Sequence, residues 1–384
     1  MDFDKISPKT DWFERSSHLL REACTPWGIK ASLTKLDNYG AIFTRDAVMA
    51  GIAGVLIQDD IIIEGFKNTL LFLKKLQGKQ GQIASNFTIK DNEVEHVSFG
   101  TLGPKIDACT WYMVGVGILI NEGIISREDF KESVEKTIDL LNGLEYNNKH
   151  LMYIPKGGNW ADEYVFDGYI LYDQVLRSWG LGLLAKSYKN HQWLEKSAAI
   201  LGCIETQYKD EDRQYFSASF FPGGVFNKFD LAAHSILAIV LEKEQPFMNH
   251  AFDWIGSKFI EQNMLPPAFY PVINKGDKDW DTLRGYHLFD FKNKPHHYHN
   301  GGIWLIWLGW LSIALSILGK DHTLSTLIQT TFNKLESFEQ FNFEEYISAD
   351  ELTLNGTKKL CYTATGIIML SLAKDSYDFS ILKP

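Results

Sequence analysis

Acidic residues recur at one kind of place in this sequence, just ahead of long apolar runs. "DNYGAIFTRDAVMA" sets Arg45 and Asp46 before one run, and "GPKIDACTWYMVG" sets Asp107 before another. "PKGGNWADEYVFDGYILYDQ" gathers Trp160, Asp162, Glu163, Asp167, Asp173 and Gln174, and "FNFEEYISADELTLNG" carries Glu344 and Glu345. Taken singly, an acid at a helix start is an N-cap or a charge favoured by the helix dipole. Recurrence in several loops admits a second reading. Two carboxyl groups facing each other across an aromatic-lined pocket can hydrolyse a glycoside, one protonated to serve the leaving oxygen, the other ionised to activate water or attack directly. An indole beside one acid lowers the local polarity and favours its protonated form, and Trp160 lies two residues before Asp162.

The stretch "KPHHYHNGGIWLIWLGWL", Lys294 to Leu311, places His296, His297, Tyr298, His299 and Asn300 before another apolar run. The spacing HHxH is no recognised zinc pattern and no His/Cys cluster appears elsewhere, so neither a metal nor a cofactor is expected. Two readings remain. Gly301 and Gly302 make a tight turn whose polar residues cap the next helix, or His299 and Asn300 meet sugar hydroxyls while Tyr298 or Trp304 offers a ring face to C–H groups.

The elements that must position these residues follow from hydrophobic periodicity. "EGFKNTLLFLKKL", "SREDFKESVEKTIDLLNGL" and "WLEKSAAILGCIETQY" carry apolar residues on one helical face, with Ser126 and Asp129 as a capping pair and Gly143 as a stop. "RDAVMAGIAGVLI", "CTWYMVGVGILI", "QVLRSWGLGLLAKSY" and "FDLAAHSILAIVLEK" are apolar on nearly every side, which predicts buried inner helices. Alternation of the two kinds, with no strand–helix rhythm and no Pro/Gly/Ser-rich linker, predicts an all-α double ring in a single domain over 1–384. The run Ile303–Leu318 has 16 residues, short of the roughly 20 that span a bilayer, and reads as another inner helix.

Composition narrows the partners. Aromatic residues reach 14%, which suits a carbohydrate or hydrophobic ligand, and a net charge of −10 argues against nucleic acid. The start "MDFDKISPKTDWFERSS" lacks the apolar core of a signal peptide, and Cys24, Cys109, Cys203 and Cys361 are isolated, so a cytoplasmic protein with reduced thiols is expected. The oligomeric state is not legible.

Several of these segments resemble a known family. "YHNGGIW" is similar to the YHNGGSW segment of the alkaline/neutral invertases, glycoside hydrolase family 100, and to the corresponding segment of bacterial debranching-type glucosidases. "IFTRDAVMA" resembles their FVRDF, "GQIASNFTI" their MPASFKV, and "VSFGTLGPKIDACTW" their DFG...APVDSGFWW, in the same order. "IPKGGNWAD" lies where the family has PDGxCMID, and "FEEYISADELTLNGTKKLCYTATGIIML" where it has WPEYYDG...YQTWTIAGYL.

The resemblance, carried in islands from about Asp37 to Leu372, implies an (α/α)6 barrel and hydrolysis of a small α-linked oligosaccharide or glycoside with inversion. Asp162 takes the general-acid position and Glu345 the general-base position, with Arg45, Asp46, Asp107, Trp160, Gln174, Tyr298, His299 and Asn300 as candidate substrate-binding residues. The family has two arginines directly after its acid aspartate, whereas this chain has Glu163 and Tyr164, so sucrose is one candidate among several. Rival readings are a sugar epimerase, in which histidines shuttle the proton, and a noncatalytic sugar-binding toroid.

Overall fold

The computed structural model describes residues 11–34, 37–146, 149–241, 246–375 and 377–384. Residues 1–10, most of the segment on which the leader reading rests, lie outside them, as does the end of "FDLAAHSILAIVLEK". Thirteen α-helices occur among the described residues: α1 (Trp12–Ala23), α2 (Thr44–Leu56), α3 (Asp60–Lys75), α4 (Ile106–Asn121), α5 (Arg127–Asn142), α6 (Leu171–Tyr188), α7 (His191–Gln207), α8 (Leu231–Val240), α9 (Pro246–Lys258), α10 (Trp280–Gly285), α11 (Leu305–Ile317), α12 (Asp321–Ser337) and α13 (Cys361–Lys374).

Burial sorts them as the apolar patterning requires. In α2, α4, α6, α8, α11 and α13 nearly every side chain is buried, including the four tryptophans Trp111, Trp179, Trp307 and Trp310. These six pack in sequence, α2 on α4, α4 on α6, α6 on α8, α8 on α11, α11 on α13, and α13 returns to α2. Amphipathic helices lie outside: α3 packs on α2, α5 on α4, α7 on α6, α12 on α11, and α1 on α13. In α3 the buried positions Ile62, Gly65, Phe66, Thr69, Leu70 and Leu73 follow the three-and-four spacing of one helical face. Its start is fixed by Asp59, whose carboxylate accepts from the N–H groups of Ile61 and Ile62 at 3.1 Å each. The expected Ser126–Asp129 capping pair is not formed; the Ser126 hydroxyl bonds the Glu128 carboxylate at 3.3 Å instead, which is near enough in sequence to compete.

Inner helices α11 and α13 approach closely, so that an added methyl on Gly309 would lie 2.7 Å from Gly366 Cα. No side chain larger than hydrogen fits there.

Short strands, which the sequence reading passed over, tie the loops at one end of the ring. Ile42–Phe43 pairs with Asn86–Lys90, Tyr169–Ile170 with Ser219–Phe221, Phe229–Asp230 with Phe269–Tyr270, and Tyr346–Ile347 with Leu354–Asn355. Isolated bridges join Ser32 to Leu360 and Ile303 to Ile347. The residue preceding each inner helix, Phe43, Lys105, Ile170, Asp230, Trp304 and Leu360, is extended, and only Asp230 caps its helix through its side chain. The chain therefore enters every inner helix from the same layer, which brings the loops read from the sequence to one face. No helix among the described residues is long and apolar enough to cross a membrane.

Candidate active site

A cavity of about 500 Å³ opens at that face. Its wall takes Phe43, Arg45 and Asp46 from the start of α2, Lys105 from the start of α4, Trp304 from the start of α11, and Leu360 and Tyr362 from the start of α13. Of the ten site residues read from the sequence, seven line it: Arg45, Asp46, Trp160, Asp162, Tyr298, His299 and Glu345.

The two distant acids have different surroundings. Asp162 belongs to the loop between α5 and α6, its side chain 36% exposed to the cavity, with Oδ2 paired to Lys105 Nζ at 2.9 Å. Lys105 also donates to the carbonyls of Gly157 at 2.7 Å and Asn159 at 3.3 Å, so one ammonium holds both the loop and its carboxylate. Burial is the largest single influence on the Asp162 carboxyl and pushes it up, but the charge and hydrogen bond of Lys105, with His299 and Arg45, together hold the group below the usual carboxylate range. Glu345 sits 6% exposed beside the strand Tyr346–Ile347. Its Oε1 accepts from the Tyr39 hydroxyl at 2.8 Å and its Oε2 from Thr357 N–H at 3.2 Å. Burial raises this carboxyl above its ordinary value, and the Lys292 charge and the Tyr39 bond offset part of the rise.

Aromatic rings fill the floor between them. Trp160 lies flat on Phe269 at 5.6 Å and meets His299 edge-on at 5.1 Å, while His299 stacks on Trp304 at 5.7 Å. Enclosure by these rings pushes the His299 imidazole down to about 3, so it stays neutral. Arg45 reaches Asp107 Oδ2 at 2.9 Å and Asp46 Oδ2 at 3.7 Å, with its guanidinium 6.0 Å from the Tyr362 ring centre. Burial raises the Asp46 carboxyl, with Arg45 acting against it.

Three of the ten stand behind the wall, not in it. Asp107 is buried and orients Arg45. Gln174 spends both ends of its amide on the backbone of Met152, at 2.8 Å each. Asn300 accepts from Ile273 N–H at 2.7 Å and donates to the carbonyls of Ile273 at 2.9 Å and Asn293 at 3.2 Å. A buried amide must be satisfied somewhere, and here the neighbouring backbone does it in place of the expected sugar hydroxyls. The turn at Gly301 and Gly302 does form, with Gly301 at φ +97°, but the helix after it begins at Leu305, preceded by Trp304, without a side-chain cap. His297 lies 3.6 Å from Asp350, away from the cavity, and Glu344 accepts from Asn342 N–H at 2.8 Å. No group of three or more His, Cys, Asp or Glu placed to hold a metal occurs among the described residues.

Sequence reasoning missed Tyr39, Lys105 and Lys292 in the wall. Lys105 had a signal, since it stands two residues before an acid at an inner-helix start. Tyr39, in the single-turn 3-10 helix Asp37–Gly40, had none. From the segment between α10 and "KPHHYHNGG", Leu288, Phe289, Asp290 and Lys292 reach the cavity, while Asp279, Trp280, Asp281 and Arg284 do not line it.

The model of the family described as alkaline and neutral invertase matches residues 234–377. No curated protein matches the chain. Among solved structures, a wild-type glycosidase is 10% identical with a TM-score of 0.66, over 98% of this chain and 100% of that one. A GH63 mannosylglycerate hydrolase from Thermus thermophilus, in complex with glucose, is 10% identical with a TM-score of 0.65, over 94% of this chain and 100% of that one. At such identities the likeness is one of fold. The chain resembles the alkaline and neutral invertases over residues 234–377 and shares its fold with solved glycosidases over nearly its whole length.

Proposed function

We propose that this protein is a glycoside hydrolase, built as one (α/α)6 barrel, that cleaves a small α-linked oligosaccharide or glycoside with inversion in the cytoplasm. The observation that carries the reading is the meeting of Asp162 and Glu345, from distant parts of the chain, on one cavity with an aromatic floor. Asp162 gives its proton to the glycosidic oxygen. Glu345, which receives a hydrogen bond on each oxygen and so is furnished as a carboxylate, takes the proton of the attacking water. Its raised proton affinity suits a base working near neutrality. Four unpaired cysteines support the compartment.

A second reading exchanges the two roles, and the Lys105–Asp162 ion pair favours it, because a lysine beside a carboxyl disfavours the protonated form that a proton donor needs. Substitution of Lys105 separates the two, as worked out below. The epimerase reading needs an imidazole that titrates near neutral pH, and burial of His299 counts against it.

The test is a screen of sucrose, trehalose, kojibiose and maltose with the anomer of the released sugar followed by NMR. Inversion is expected, and Asp162→Asn and Glu345→Gln each lower turnover by about 10²- to 10⁴-fold while the fold is kept. Retained configuration overturns the water-activating role, and near-wild-type rates in both variants overturn the enzyme.

A further inference from the structure

One buried acid has no part in the cavity wall. Asp173, in the first turn of α6, is fully buried, and its Oδ1 has no hydrogen-bond partner among the described residues. Burial first, then the nearby Asp107 and Asp230 carboxyl groups, push it well above the ordinary carboxylate range, so it stays protonated near neutrality. A carboxyl enclosed in this way costs stability that an apolar side chain would not, so the position calls for something that only a hydrogen-bonding group supplies.

What it touches is the loop of Asp162. Asp173 Oδ2 accepts from the Asn159 side-chain amide at 2.8 Å. Asn159 is itself buried, and its Oδ1 accepts from the Ala161 N–H at 3.1 Å, which closes the turn one residue before Asp162. Its backbone carbonyl is one of the two that accept from the Lys105 ammonium, the same ammonium that pairs with Asp162 Oδ2. On the other side the first N–H groups of α4, those of Ile106 and Asp107, donate to the Gly158 carbonyl at 2.7 and 3.3 Å. The segment 157–162 is therefore slung between the starts of two inner helices, and Asp173 holds its α6 end. A reacting group keeps its aim only when the side chains behind it are themselves locked.

We propose that Asp173 is a positioning residue for Asp162: by fixing the Asn159 amide it sets the turn and the Lys105 contact that aim the Asp162 carboxyl into the cavity. The inference rests on the function proposed above. Asp173 does not line the cavity and acts only through Asn159. Its neutrality suits the task, since a protonated carboxyl accepts from Asn159 without setting a second negative charge behind Asp162.

The experiment compares Asp173→Ala, Asp173→Asn, Asn159→Ala and the Asp173→Ala/Asn159→Ala double variant, each checked by circular dichroism, in steady-state hydrolysis across pH of a sugar that the wild type cleaves. Asp173→Ala is expected to lower kcat by about 10- to 100-fold, the scale on which a displaced reacting group loses rate, with KM changed by less than about threefold. Asp173→Asn restores most of that rate, because its carboxamide oxygen still accepts from Asn159. The double variant is no slower than the slower single one, as two residues acting through one bond require. The limb of the pH–rate profile that Lys105→Met moves is moved in the same direction by Asp173→Ala and stays in place in Asp173→Asn. Hydrogen exchange at the Ala161 amide, which needs no turnover, is faster than wild type in Asp173→Ala and unchanged in Asp173→Asn. The inference is overturned if a folded Asp173→Ala keeps near-wild-type kcat, if its pH limbs stay put, or if Asp173→Asn is as slow as Asp173→Ala. Should Asp173→Ala not fold, Asn159→Ala, which leaves α6 intact, carries the same expectations. A wild type that cleaves no sugar removes the function and the role toward Asp162 together, and amide exchange then reports whether the Asp173–Asn159 bond still holds the turn. An active wild type whose variants keep its rates and its exchange removes the positioning role alone and leaves the function.

Discussion

Tyr39→Phe removes one oxygen atom and little else, because the phenyl ring keeps its place beside Phe43, 6.4 Å away. The lost atom donates to Glu345 Oε1 at 2.8 Å, and burial together with the Glu345 charge keeps that hydroxyl protonated far above any assay pH. A hydrogen bond to a charged group contributes about 1.5–3 kcal/mol, and about 1.4 kcal/mol is a factor of ten in rate, so kcat should fall about 10- to 150-fold if the bond is fully used in the transition state. The pH profile gives an independent sign. Burial raises the Glu345 carboxyl and the Tyr39 bond works against that rise, so without Tyr39 the group takes its proton more readily. A base that must be ionised then fails sooner on acidification, and the acid limb of kcat/KM moves to higher pH while the alkaline limb stays. The assay is steady-state hydrolysis across pH with circular dichroism to verify the fold. An unshifted acid limb with near-wild-type kcat refutes the role given to Glu345.

Lys105→Met removes the charge that holds Asp162 ionised, so the Asp162 carboxyl rises; the alkaline limb of the pH–rate profile moves up if Asp162 is the proton donor, and the acid limb moves up if it is the base. Asp230, buried at the start of α8, is pushed by desolvation from 3.8 to about 7, so it favours the folded state below its unfolded value and that contribution is lost as pH rises toward and through 7. Asp230→Asn does not titrate, so its Tm relative to wild type should climb between pH 4 and pH 8, and a constant difference by calorimetry contradicts the buried charge. Gly366→Ala would place a methyl against the Leu305 carbonyl where α13 meets α11, costing about 1–3 kcal/mol by overpacking, measurable as a lower denaturation midpoint; an unchanged midpoint would show that the two helices can part.

Five of the six inner helices were legible because burial on every side leaves no polar face, and "RDAVMAGIAGVLI" or "IWLIWLGWLSIALSIL" has none. In the loops, residue type located the corner but not the contact. Gln174 and Asn300 look like sugar-binding amides, yet a buried backbone carbonyl competes for the same donors, and no sequence pattern reveals which partner lies nearer. Lys105 illustrates the converse. Its place two residues before Asp107 marks it, but only the fold brings Gly157, Asn159 and Asp162 around its ammonium. The two-residue strands escaped notice because pairing that short leaves no alternation to detect.

The ring closes by bringing α13 back to α2, which puts Tyr362 beside Arg45 and Glu345 within reach of Tyr39, 306 positions earlier. During translation, at about 5–20 residues per second, the ribosome therefore releases most of the polypeptide before the carboxylate that meets Tyr39 exists. Until then α2 has an apolar flank with no neighbour, a surface on which chaperones bind and nascent chains aggregate. A prematurely terminated product would be both inert and sticky, so quality control can recognise it by the same unfinished seam that leaves it without activity.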